Sequence, residues 1–303
     1  MNMKNYVAAC LGIAALVVIM SGCGHSGYKK TSTGMAYDII ADGKGENLKN
    51  GELIKFNIKF LIGDSVVQNT NEHIPGYYRV DSSLKNQYNF TDIITEMKVG
   101  DSAVISLSID TLVKMQQWPA SLKYPAGTIM KGYFKIIARY KTESDLEADY
   151  KKEEAAELAK EISILEKYLK DNKINATKTP KGTFVEIMNP GTGMQADSGR
   201  KVSVLYHGTT LKGVPFDSTK DSAFGHVGKP YEFILGRDPV VEGWVEGLKL
   251  LKEGAQAKFY IPAMLAYKNQ SQGEVIKPYS DLVFEINLVS VKDGASETPI
   301  PMH

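Results

Sequence analysis

The spacing of apolar side chains changes several times along this chain, and each spacing marks an element. Residues 201–206, 231–235, 257–261 and 281–291 are short runs rich in Val, Ile, Phe and Tyr, the chemistry of strands. Between the second and third runs, residues 236–254 read GRDPVVEGWVEGLKLLKEG, with Val241, Trp244, Val245, Leu248 and Leu251 recurring at helical spacing. That stretch predicts a helix with one buried face, capped by Asp238, entered through Pro239 and stopped at Gly254. The strands are expected to wrap around it. Upstream, residues 143–173 are charged and rich in Ala, Glu, Lys and Leu, and Leu158, Ile162, Leu165 and Leu169 recur at four- and three-residue steps. So short a stripe fits packing on a neighbouring domain better than a coiled-coil dimer seam.

The pattern also repeats. Lys30, Gly34, Asp38, Ile39, Gly43, Gly45 and Gly51 recur at one constant spacing as Lys178, Gly182, Glu186, Ile187, Gly191, Gly193 and Gly199. Further on, Met97-Lys98-Val99-Gly100 matches Leu251-Lys252-Glu253-Gly254, Ala103 to Leu107 matches Ala257 to Ile261, and the run 132–136 reads as a closing strand like 283–286. One supersecondary plan is used twice. The organisation expected is a signal segment over 1–22, a flexible tether over 23–33, a first domain over 34–141, a linker helix over 142–174, a second domain over 175–292 and a disordered tail over 293–303.

In the second copy Tyr206-His207-Gly208, Phe216-Asp217-Ser218, Lys229-Pro230-Tyr231-Glu232-Phe233, Val240-Val241-Glu242-Gly243-Trp244, Leu265-Ala266-Tyr267 and Leu282-Val283-Phe284 follow one another in order. Six separated motifs in this order resemble an FKBP-type peptidyl-prolyl isomerase domain. The resemblance implies an α+β fold: two FKBP-like domains, each an antiparallel sheet around a short helix, joined by the long linker helix. It implies a pocket with Trp244 as the floor, Tyr206, Phe216, Tyr231 and Phe284 as walls, and Val240 and Val241 along the side. Val241 would donate its backbone N–H to the substrate, Tyr267 its hydroxyl, and Ile276 would close the lip. Asp217 would be a carboxylate at the buried edge. The first copy is degenerate: Ile58, Val67-Gln68, Phe90 and Val113 stand where the second has Tyr206, Phe216-Asp217, Trp244 and Tyr267.

The implied activity is cis-trans isomerisation of X-Pro bonds in exported or unfolded proteins, with proline-containing polypeptides as clients, macrolide inhibitors as ligands and no cofactor. Three departures fall on substrate-facing loops: an inserted loop over 222–228 without the usual basic residue, Gln272 in place of a histidine, and Lys268 where glycine is common. A non-catalytic peptide-binding chaperone, or an envelope scaffold, remains the alternative.

Composition narrows the partners. With 36 basic and 35 acidic residues the net charge is +1, which leaves no broad electrostatic footprint for nucleic acid. Lys4, the apolar run 6–20 and the small residues Ser21-Gly22 form secretory-signal chemistry, and Met20-Ser21-Gly22-Cys23 resembles a bacterial lipoprotein box. The resemblance implies a lipid on Cys23 and a place in the cell envelope, at the outer membrane facing the periplasm. Cys10, inside the signal segment, is the other of the two cysteines, so the mature chain has no disulfide to lean on. The five histidines show no zinc-ligand spacing, and no Ser-His-Asp or Cys-His arrangement is evident.

Overall fold

In the computed structural model, which describes residues 28–225 and 227–294, the repeat is a repeat of sheets. The expected signal segment, Cys23 and residues 295–303 of the tail lie outside the described residues. The chain divides into two units, the first Met1–Asn71 with Pro75–Lys141, the second Glu72–Ile74 with Thr142–His303.

In the first unit β1 (Lys29–Lys30), β2 (Ala36–Ile40), β3 (Leu53–Ile62), β4 (Ser65–Asn69), β5 (Gly76–Arg79), β6 (Ser102–Ser108) and β7 (Ile129–Tyr140) form one antiparallel sheet. Its order is β1-β2-β6-β7-β3-β4, with β5 also on β3. A short α1 (Ile109–Lys114) follows β6. Strict alternation along β7 turns Met130, Phe134 and Ile136 inward and Lys131, Tyr133 and Lys135 outward. The concave face is covered by two 3-10 turns, Phe90–Asp92 and Ile94–Glu96, rather than by the α-helix expected there. Asn89 and Thr91 explain the difference. The Asn89 side chain accepts the Thr91 N–H at 2.8 Å, and the Thr91 hydroxyl donates to Leu84 O at 2.9 Å, so local side-chain bonds compete with helix continuation.

The tether expected over 23–33 also ends early, because Lys29 and Lys30 pair with Tyr37 and Ala36. The second copy begins the same way.

That second unit opens with α2 (Glu143–Asp171), which Thr142 caps by accepting the Asp145 N–H at 3.1 Å. Then β8 (Thr177–Lys178), β9 (Phe184–Asn189), β10 (Lys201–Thr210), β11 (Pro215–Ser218), β12 (Tyr231–Ile234), β13 (Gln256–Ile261) and β14 (Leu282–Lys292) reproduce the first topology strand for strand. The order is β8-β9-β13-β14-β10-β11 with β12 on β10. Asp293, at the head of the expected tail, pairs with Arg200. Register repeats too. The β3–β7 ladder shifts between Lys55 and Phe56, and the β10–β14 ladder between Ser203 and Val204, so one extra residue, Ile137 or Val289, bulges outward at the same place in each.

The helix on the concave face, α3 (Glu242–Leu248), is shorter than the 236–254 run predicts. Asp238 does not cap it: its carboxylate accepts the Ile234 N–H at 2.7 Å, which holds Asp238 and Pro239 in the connecting loop, and Val241 stands at the cap. Trp244, Leu248 and Leu251 are buried as the spacing predicts.

The apolar stripe of α2 lies on the opposite, outer face of this sheet. Leu165 and Leu169 are buried against Phe184 and Tyr260, with Ile162, Leu211 and Val283 around them. In the first sheet the equivalent outward pair to Tyr260 and Val283 is Ser106 and Lys131, which offers nothing apolar to cover. The helix therefore belongs to the second unit by packing. Replacing Leu165 by Ala should lower that unit's stability by about 2–5 kcal/mol, the usual cost of a large-to-small core change. Urea unfolding read through Trp244 should shift, while the transition read through Trp118 in the first unit should not.

Candidate functional site

Strand register brings the pocket together. On β10 Tyr206 and Gly208 face the concave side, and β14 sets Phe284 opposite Gly208. On β11 Asp217 pairs with Gly208 from the other flank. A side chain at 208 would put its first carbon 2.7 Å from the Phe216 ring and 2.9 Å from Phe284, so only glycine lets these two rings close edge to face at 5.5 Å. The strand edge is braced by Thr219, which accepts the Tyr206 N–H at 2.7 Å and donates its own N–H to Tyr206 O at 3.0 Å.

From α3, Trp244 stands edge-on to Tyr206 at 5.1 Å and to Phe284 at 5.2 Å, only 4% exposed. Its depth is set by Gly243, where a Cβ would lie 2.4 Å from Ile261 on the sheet beneath. The result is a pocket of about 500 Å³ lined by Tyr206, Phe216, Asp217, Tyr231, Val240, Val241, Trp244, Tyr267 and Phe284, with Pro239 and Ala266 completing it. Ile276 is not on this wall; it is 3% exposed and packs into the core behind. Sequence reasoning missed Pro239 because it spent that residue on the helix start, although the Leu265-Ala266-Tyr267 motif already carried Ala266.

Polar groups are few and specific. The Tyr206 hydroxyl donates to Asp217 Oδ2 at 2.5 Å. Burial, then this bond to a carboxylate, pushes the Tyr206 phenol well above its ordinary value; burial, then the charge of Asp217 and the Tyr231 phenol, raises Tyr267. Both remain protonated donors at any ordinary pH. The Trp244 Nε1–H is buried without an acceptor among the described residues. Apart from these groups the lining is aromatic and aliphatic. It can enclose an apolar ring and offer hydrogen bonds to a carbonyl.

The first unit keeps the frame and fills the space. Thr70 braces Ile58 as Thr219 braces Tyr206, with bonds of 2.9 Å in both directions. Yet Phe60 stands at the Gly208 position, opposite Gly132 at the Phe284 position. Phe56, Phe90 and Phe134 pack with ring centroids 4.8–5.4 Å apart where the second unit has Val204, Trp244 and Ile286. Val67 is exposed at the Phe216 position.

Residues 193–289 match the model of a family described as FKBP-type peptidyl-prolyl cis-trans isomerase. The chain is 40% identical over 134 residues to a probable FKBP-type peptidyl-prolyl cis-trans isomerase FkpA of Neisseria meningitidis serogroup B, covering 44% of this chain and 46% of that one. It is 38% identical over 116 residues to outer membrane protein MIP of Legionella longbeachae, covering 38% of this chain and 47% of that one. It is 34% identical over 110 residues to an FK506-binding protein of Neisseria meningitidis serogroup B, covering 36% of this chain and 96% of that relative. The chain belongs to the FKBP-type peptidyl-prolyl cis-trans isomerase family. It spans about half the length of the first two relatives and nearly all of the third.

The FKBP match covers the pocket described above from end to end, since every lining residue from Tyr206 to Phe284 falls within 193–289. One departure from the family pattern has a structural reading. Lys268 has φ of +54°, a left-handed conformation that suits the glycine common there, and its N–H closes the turn onto Ala263 O at 2.8 Å. Lys268→Gly should therefore stabilise the second unit by about 0.5–1 kcal/mol, relief of that strain outweighing the added unfolded-chain entropy. Thermal or urea unfolding followed at Trp244 checks this, and a loss of stability would refute it.

Proposed function

We propose that the second unit isomerises X-Pro peptide bonds by binding the twisted amide better than the planar one. The observation that carries this is the aromatic pocket floored by Trp244 and rimmed by the Tyr206–Asp217 pair and the Tyr267 hydroxyl. Rotation about a peptide bond crosses about 18–20 kcal/mol because resonance stiffens the C–N bond, and uncatalysed X-Pro exchange takes tens to hundreds of seconds. The planar amide depends on charge separation that water stabilises; the twisted amide has lost it. A pocket that strips water from the bond penalises the planar state more, which is differential transition-state binding. A thousandfold acceleration needs about 4 kcal/mol, within reach of an apolar enclosure and one or two hydrogen bonds.

In this reading the proline ring sits on Trp244 between Tyr206, Phe216, Tyr231 and Phe284, with Val240 beside it. Val241, at the open end of α3, supplies a backbone N–H free of intrahelical bonding, and Tyr267 a hydroxyl. Asp217 holds the Tyr206 hydroxyl and meets the twisted carbonyl's surroundings. The first unit, with Phe60 and its phenylalanine cluster in the corresponding space, acts as spacer or client platform rather than as a second isomerase. The name of the Legionella relative, an outer membrane protein, supports a place in the cell envelope, and the Met20-Ser21-Gly22-Cys23 sequence supports attachment through Cys23 with clients among exported proteins. Among the described residues no helix is long and apolar enough to cross a membrane.

The test is protease-coupled isomerisation of a proline tetrapeptide by the whole protein. Wild type should accelerate exchange; Tyr267→Phe and Asp217→Ala should lower kcat/KM, and Trp244→Ala should remove nearly all activity while costing about 3–5 kcal/mol of stability. A folded Trp244→Ala protein that keeps full activity would place the site elsewhere. A folded wild-type chain that binds the peptide without acceleration would make it a peptide-binding chaperone. Separately, Cys23→Ser should move the protein from the membrane pellet to the soluble fraction, and continued pelleting would refute the lipid anchor.

A further inference from the structure

The helix that packs on the back of the second sheet also reaches the turn that leads into the pocket. Glu157 and Glu161 lie one turn apart on α2, both buried, and Glu161 is 3% exposed. Glu161 Oε2 accepts the Met264 N–H at 2.8 Å, and Asp281 Oδ1 accepts the neighbouring Ala263 N–H at 3.0 Å. These two amides open the 3-10 turn Ala263–Leu265, whose next residues, Ala266 and Tyr267, line the pocket. Without Glu161, Met264 N–H would be a buried orphan in a turn whose later bonds, Ala266 to Ala263 and Lys268 to Ala263, depend on the same geometry.

We propose that Glu161 is a positioning residue for the isomerase site: it fixes the turn that carries Ala266 and Tyr267, so that α2 is a working part of the catalytic unit. This deepens the functional reading above and rests on it. The bond that does the work comes from outside residues 193–289, the span shared with the family.

The electrostatics give the device a pH signature. Burial is the main force on Glu161 and pushes its carboxyl up to about 8; Asp281 and Glu157 add to this, while the Met264 N–H and Lys160 oppose it. Burial likewise raises Asp281 to about 6, again with Glu157 adding and the Ala263 N–H and Lys160 opposing. Facing them are His73, bonded to Glu157 at 2.7 Å, Lys160 at 3.2 Å from Glu157, and the Tyr279 phenol, which burial raises to about 12. Near pH 7 Glu161 is thus mostly neutral beside a mostly ionised Asp281. The folded form keeps a proton that the unfolded chain loses near its ordinary value, so stability falls as pH rises toward about 8 and levels above it. Above that pH a second negative charge joins Asp281 beneath the turn.

Glu161→Gln keeps the acceptor and imitates the neutral acid, whereas Glu161→Ala removes the bond. Both are made in the whole protein, with kcat/KM for the proline tetrapeptide read from pH 6 to 9 and amide exchange followed for the segment 262–268. The alanine variant should exchange Met264 about tenfold faster or more and lose about tenfold in kcat/KM, corresponding to one buried hydrogen bond. Wild type should lose activity above about pH 8, and the glutamine variant should match it at pH 6.5 yet stay flat to pH 9. A folded alanine variant with wild-type exchange and activity would overturn the proposal, as would a glutamine variant that follows the wild-type pH profile. If wild type shows no isomerase activity, the functional reading fails alone, and Met264 exchange still decides whether Glu161 holds the turn.

Discussion

One extra residue in the longest strand pairing of each sheet decides which side chains this molecule turns inward. A strand that slips by one position turns every side chain to the other face. In the β10–β14 pair the outward bulge at Val289 absorbs that slip, so Leu288 and Val291 both point into the core although they are an odd number of residues apart. Beyond the bulge, regular alternation sets Phe284, Ile286 and Leu288 on the inner face. The pocket exists because this phase is held over the whole strand. The first sheet holds the same phase through its own bulge at Ile137.

Much of this was legible in the sequence where a residue's role is set by backbone spacing. The repeated glycines, the strand runs and the aromatic positions of the second copy all follow from local pattern, and the structure gathers nine of the expected lining residues around one cavity. What escaped depends on competition between local bonds. Asp238 has the chemistry of a helix cap, but the Ile234 N–H is nearer, and α3 starts later as a result. Ile276 looks like a lip residue in the chain and is a core residue in space. Nothing in a linear pattern shows that a glutamate of the linker helix bonds an amide a hundred residues away.

The two units separate what a scaffold needs from what a pocket needs. Both keep the threonine brace on the strand that pairs with the bulged one, Thr70 on Ile58 and Thr219 on Tyr206. They differ in how the space above the sheet is filled. Four phenylalanines make the first interior solid, whereas Gly208 and a deep-seated Trp244 leave the second one open on one side. A few side chains on β3, β7 and β10, and on the turn or helix that covers each sheet, thus carry the difference between a packed core and a binding cavity.

The exchange of glycine and phenylalanine between the sheets has a consequence for folding. Two units with the same strand order in one chain invite strands to pair across units, the characteristic failure of repeated domains. Here β3 offers Phe60 to a glycine, while β10 offers Gly208 to a phenylalanine. If β3 met β14, Phe60 would collide with Phe284; if β10 met β7, Gly208 would face Gly132 across a void. Each wrong pairing is penalised in the opposite sense, by crowding in one and by emptiness in the other. The substitution that closed one pocket also labels each strand for its own sheet.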